Sequence, residues 1–158
     1  MHTTNNEAEV MEAKNYRSYQ GGYFKVLLDN KETGGSMALL EMVLPKGAEP
    51  PPHIHANEDE SFYLQEGEIH FFIGGKEIHA KAGDAVFAPR KVLHHFSIQT
   101  ATARFLNLIT PGQLQDYFME FSTPATNLQV IPPQGPPPQE FITAMVGRLT
   151  DTYGIMFI

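Results

Sequence analysis

Residues 47–67 read GAEPPPHIHANEDESFYLQEG, and residues 83–98 read GDAVFAPRKVLHHFSI. In the first stretch His53 and His55 stand two apart, so an extended chain projects both imidazoles to the same side, where they can converge on one ion. Pro50, Pro51 and Pro52 hold the approach to that pair extended and reduce the freedom of the unfolded chain. Glu60 follows five residues after His55, far enough for the chain to bend and return a carboxylate, and His94 in the second stretch could supply a fourth ligand. Taken singly, each residue has an ordinary explanation. An isolated HxH pair is common at strand ends, and Glu58-Asp59-Glu60 would form a solvated acidic loop, since clustered carboxylates repel one another. A nearby cation reverses that preference. The histidines are also clustered, with six of the seven between His53 and His95.

Outward from these stretches the punctuation favours strands. Gly21-Gly22, Gly34-Gly35, Gly74-Gly75, Lys46-Gly47, Glu66-Gly67 and Ala82-Gly83 separate short apolar runs, at spacings typical of an all-β sandwich or barrel. Ser36 to Leu44 is apolar on both faces, whereas Lys76 to Ala82 alternates and places Ile78, Ala80 and Ala82 on one side. The pattern predicts antiparallel sheet over most of 22–110. After Pro111-Gly112 the spacing of Leu114, Tyr117, Phe118 and Phe121 predicts a short amphipathic helix. Residues 132–138, PPQGPPP, lack the donors for a strand and predict an extended surface strap. A second helix is expected over Gln139 to Thr152, with Phe141, Ile142, Met145, Val146 and Leu149 on its apolar face and Gly154 as its stop. The expected division is a flexible leader at 1–20, a barrel at 21–110 and a C-terminal helical appendage at 111–158.

Composition narrows the chemistry. The 158 residues suit one domain, and the absence of cysteine excludes disulfides, thiolate ligands, iron-sulfur clusters and a cysteine nucleophile. Any metal must be held by His, Asp or Glu. A net charge of −7 disfavours nucleic acid and anionic membrane surfaces as partners. The acidic N-terminal residues lack the pattern of a secretory signal and the longest apolar stretch is too short to span a bilayer, so a cytoplasmic location is expected.

Together these residues resemble the cupin superfamily. Gly47, His53, His55, Glu60 and Gly67 fall in register with its first motif, and Gly83, Pro89 and His94 with its second. The resemblance implies an all-β double-stranded β-helix, or jelly roll, with short C-terminal helices and one divalent transition metal on His53, His55, Glu60 and His94. Lys91 stands where the second motif generally has glycine. Ile98 replaces its usual asparagine, and strand parity turns Ile98 inward. Further segments, LLDNKETGG, APRKVLHHF, RFLNLITPG and the C-terminal TYGIMFI, are similar to small single-domain cupins of the flavonol (quercetin) 2,3-dioxygenase-like group.

Three imidazoles and one carboxylate suit Fe, Mn, Ni, Co, Cu or Zn and leave open coordination positions for a small-molecule substrate. The expected function is a metal-dependent dioxygenase acting on a small aromatic or enolisable molecule. By the resemblance, Glu60 also serves catalytically, taking the substrate's hydroxyl proton. Phe62, Phe96 and Ile98 are the expected pocket residues by parity, with His70 as a possible proton carrier in the cavity. His95 should point outward, and a homodimer is expected. The alternatives are a non-oxidative isomerase or hydrolase using the metal as a Lewis acid, and a binding module or structural metal clip without catalysis.

Overall fold

A computed structural model describes the backbone of residues 3–158 and the side chains of residues 7–158. The apolar runs become β1 (Tyr16–Tyr19), β2 (Gly22–Leu28), β3 (Ala38–Pro45), β4 (His53–His55), β5 (Asp59–Glu66) and β6 (Glu68–Ile73). The chain continues through β7 (Lys76–Lys81), β8 (Ala85–Ala88), β9 (His94–Ile98), β10 (Thr102–Thr110), β11 (Thr123–Pro124) and β12 (Ile155–Phe157). Three helices accompany them: α1 (Thr3–Glu12), α2 (Gln115–Glu120) and α3 (Gln139–Tyr153). A seven-stranded sheet of order β11-β1-β2-β3-β10-β5-β8 faces a five-stranded sheet of order β12-β4-β9-β6-β7, with every strand pair antiparallel.

Period-two alternation assigns the faces. Along β10, Ala103, Phe105, Asn107 and Ile109 are buried, while Arg104, Leu106 and Leu108 between them are partly exposed. Ile69, Phe71 and Ile73 of β6 turn inward in the same way. Phe24, Leu40, Leu64, Ile69, Ile98 and Phe105 are fully enclosed between the sheets, each contributing roughly 1.5–3 kcal/mol of burial. Between β6 and β7, Gly74 and Gly75 both adopt positive φ, 56° and 84°, as a two-residue hairpin turn of the primed type requires. Ala80 is buried but Ile78, expected beside it, is over a third exposed, because β7 is the edge strand of its sheet.

Lys91 takes φ 65°, the left-handed conformation that glycine adopts without strain, and its N–H donates to the His55 carbonyl at 2.7 Å. The turn therefore keeps the geometry of glycine while carrying a side chain. Lys91→Gly is expected to raise stability by roughly 0.5–1 kcal/mol, the relief of strain exceeding the added freedom of the unfolded chain. Urea denaturation would show the shifted midpoint.

The ends of the chain differ from expectation. Residues 16–19, assigned from sequence to a flexible leader, form β1, which pairs with β2 on one side and β11 on the other. Thr3–Glu12 is helical, and residues 1 and 2 of the expected leader lie outside the described residues. At the other end α3 stops at Gly154, which adopts φ 66° as its left-handed cap. The chain then re-enters the five-stranded sheet as β12, pairing Ile155 with His55 and Phe157 with His53. The region 111–158 is thus not wholly helical, and its last strand flanks the strand that carries the histidine pair. Residues 125–138 form neither helix nor strand. Among the described residues no helix is long and apolar enough to cross a membrane.

Candidate metal centre

The extended three-residue strand β4 turns His53 and His55 to the same inner side, Glu60 is the second residue of β5, and His94 opens β9 opposite His53. All four side chains are buried, and one ligand atom from each lies within 4.8 Å of the others. His53 Nε2 is 3.1 Å from His55 Nε2. Glu60 Oε2 lies 3.2 Å from His55 Nε2 and 3.1 Å from His94 Nε2.

The outer ring nitrogens explain why these atoms can converge. His53 Nδ1 donates to the Pro51 carbonyl at 2.8 Å, His55 Nδ1 to Glu58 Oε2 at 3.1 Å, and His94 Nδ1 to the Val92 carbonyl at 3.2 Å. These acceptors fix the Nδ1–H tautomer, so three Nε2 lone pairs and a carboxylate oxygen are aimed at one enclosed point. With every Nε2 unprotonated, this arrangement of acceptors is repulsive unless a cation, a proton on His55 or a metal ion, sits among them. The nitrogen-oxygen donor set fits a divalent transition metal.

The electrostatics agree. Burial lowers His53 to about 4, keeping it a neutral ligand near pH 7. Burial works in the same direction at His55, but the Glu60 and Glu58 carboxylates beside it prevail and raise it to about 10. Burial also opposes ionisation of Glu60, yet His55 and His94 hold its carboxyl well below the ordinary range. The two carboxylates thus favour positive charge at His55, while His53 stays neutral.

Two buried polar residues escaped the sequence reading. Glu58, taken there for part of a solvated loop, is 3% exposed and accepts from His55 Nδ1. Its parity with Glu60 was the available signal. A carboxylate behind a metal-ligating imidazole orients the ring and raises its basicity. Glu58→Gln is accordingly expected to weaken metal affinity roughly 10–100-fold while leaving the site occupied at saturation, as read by competition with a chromogenic chelator. Asn107 donates from Nδ2 to Glu60 Oε1 at 3.2 Å, which leaves Oε2 as the oxygen facing the histidines. It shares parity with the inward-facing Phe105 and Ile109.

The four residues line a cavity of about 760 Å³. Its walls are mostly apolar and include Met42, Leu44, Phe62, Phe96 and Phe105. Phe62 and Phe96 are thus where parity placed them. The roof comes from outside the barrel: Pro133, Pro136 and Pro137 of the proline-rich segment, and Ile142, Met145, Val146 and Leu149 of α3. Phe141, expected on the same helical face, instead packs edge-on against Phe121. Ile98 points inward and is fully buried in the core, but it does not line the cavity. His70 is a correction. Its neighbours Ile69 and Phe71 take the inner face, so His70 lies on the outer face, where it stacks on His79 at 3.7 Å and cannot serve as a proton carrier in the cavity. His95 stacks on Phe72 on that same outer face.

Residues 40–109, which contain all four candidate ligands, match the family model described as "Cupin domain". The barrel has the cupin fold. KdgF from a Halomonas species superposes with a TM-score of 0.58 at 18% identity, over 66% of this chain and 93% of that one. An RmlC-like cupin from Shewanella frigidimarina superposes at 0.54 with 22% identity, over 64% of this chain and 86% of the other. At these identities the likeness concerns the fold. In sequence, this chain is 24% identical over 100 residues to quercetin 2,3-dioxygenase of Bacillus subtilis. That match covers 63% of this chain and 30% of the relative's length.

Proposed function

We propose that this cupin is a metal-dependent dioxygenase acting on a small aromatic, enolisable substrate held at a three-histidine, one-glutamate centre. The observation that carries the reading is the buried convergence of His53, His55 and His94 Nε2 with Glu60 Oε2 in the wall of a large, mostly apolar cavity. The distant likeness to quercetin 2,3-dioxygenase supports the choice of reaction. His53, His55, Glu60 and His94 would hold one Fe, Mn, Ni, Co, Cu or Zn ion, which supplies a Lewis-acidic, oxygen-binding position.

The chain's own residues do the rest. Glu60 receives the substrate's hydroxyl proton, its Oε1 steadied by Asn107 and its Oε2 turned toward the histidines. Phe62 and Phe96 offer flat apolar walls to an aromatic ring. The proline-rich segment and α3 add further apolar wall to the cavity. Oxygen uptake by protein reconstituted separately with Fe(II), Mn(II), Co(II) and Ni(II), with quercetin as substrate, tests the reading. The expected result is uptake above that of free metal, falling at least about 100-fold in Glu60→Ala. No uptake despite one-to-one loading would contradict it.

A further inference from the structure

We propose that Asn107 anchors the ligand, its Oδ1 accepting a hydrogen bond from a hydroxyl that neighbours the ligand's metal-binding oxygen. Asn107 is 3% exposed, lies between Phe105 and Ile109 on the inner face of β10, and lines the cavity. Its Nδ2 donates to Glu60 Oε1 at 3.2 Å, and its Oδ1 has no partner. The orientation of the amide is fixed by chemistry, because a metal-ligating carboxylate can only accept and must face the NH₂ group.

Most other polar side chains lining the cavity have partners, Gln20 only through Nε2, which donates to Met145 Sδ at 3.7 Å. The Tyr19 and Tyr117 hydroxyls pair with each other at 2.9 Å. Glu49 accepts the Gly47 N–H at 2.7 Å and the Ile98 N–H at 2.6 Å. The remaining buried side-chain atoms without partners, Gln65 Oε1 and Arg104 Nε, belong to residues that do not line the cavity. A buried amide oxygen left unpaired is unfavourable, and a ligand donor would relieve it. Because Oδ1 is an acceptor only, a hydroxyl or N–H satisfies it, whereas a carbonyl, ether or methoxy group does not. The ligand class is therefore a small, mostly apolar molecule with one oxygen for the metal and a hydroxyl beside it.

This inference rests on the metal centre of the proposed function and is independent of the oxygen reaction. Its test is calorimetric titration of Zn(II)-loaded protein, which is redox-inert, with catechol and with 2-methoxyphenol, a pair differing in the second donor. Wild-type protein is expected to bind catechol about tenfold more tightly. In Asn107→Leu, which nearly preserves volume, that ratio should fall to about one. Equal affinities in the wild type, a failure of catechol to bind, or an unchanged ratio in the variant would each overturn the proposal. The wild-type comparison stands even if the variant does not fold. Catechol selectivity without oxygen uptake on flavonols would sink the dioxygenase reading and leave the Asn107 anchor intact.

Discussion

Glu60→Ala is expected to lower affinity for Zn(II) or Co(II) by about two to three orders of magnitude while the barrel remains folded. Four-ligand zinc sites in small domains bind with about 10–16 kcal/mol in all, so one ligand accounts for roughly 3 kcal/mol. Glu60 is the one carboxylate among the four and faces two of the three imidazoles, at 3.1 and 3.2 Å, so its loss removes the site's negative charge as well as a donor atom. It also strands Asn107 Nδ2. Without Glu60, His55 would keep only Glu58 as a carboxylate neighbour and would titrate below the present value of about 10. Competition titration measures the affinity, and heteronuclear NMR reports whether the barrel is intact. Unchanged affinity in a folded variant would mean that the metal binds elsewhere.

Gly22→Ala should cost about 3 kcal/mol or more, lowering the melting temperature by about 6–12 °C for a chain of this size. Gly22 opens β2 with its Cα against β3, where a Cβ would fall 2.0 Å from the Val43 carbonyl oxygen and 3.1 Å from Leu44 Cα. The nearest atoms are all β3 backbone, with no flexible side chain to give way, so the strands themselves must shift. Its neighbour Gly21 has a different role. At φ 82° it accepts the Ile131 N–H at 2.7 Å, fastening the start of the proline-rich segment that roofs the cavity. Gly147→Ala is the control. A Cβ there meets nothing within 4 Å on α3, so thermal melts should show equal or slightly higher stability.

Gly21-Gly22 illustrates the limits of reading this chain from sequence. The pair reads as turn punctuation, yet only Gly21 has positive φ, while Gly22 is needed because another strand lies against it. The four candidate ligands were legible because a strand's period of two fixes the side of His53 and His55, and because Glu60 and His94 fall in register with the two motifs of the resembling family. His70 was ambiguous. In IHFF either parity could face inward, and the larger apolar gain of burying Ile69 and Phe71 decided it. Asn107 carried a signal, a polar residue in an inward apolar register, where burial demands a hydrogen-bond partner. No periodicity exists in a three-residue strand, so β12 could not be told from a fraying helix end. Its pairing beside His53 and His55 depends on the whole path of residues 111–154. The roof is likewise a tertiary fact. PPQGPPP predicts an extended strap, and nothing local says what it covers.

Diffraction from crystals soaked in Co(II), with data collected on either side of the cobalt absorption edge, tests the central claim most directly. The predicted result is one strong anomalous peak among the Nε2 atoms of His53, His55 and His94 and Glu60 Oε2, at about 2.0–2.2 Å from each. Among the described residues the other His/Glu group with metal-like spacing is His70, Glu77 and His79 on the outer face of β6 and β7. A strong peak there, with none at the buried centre, would contradict the account.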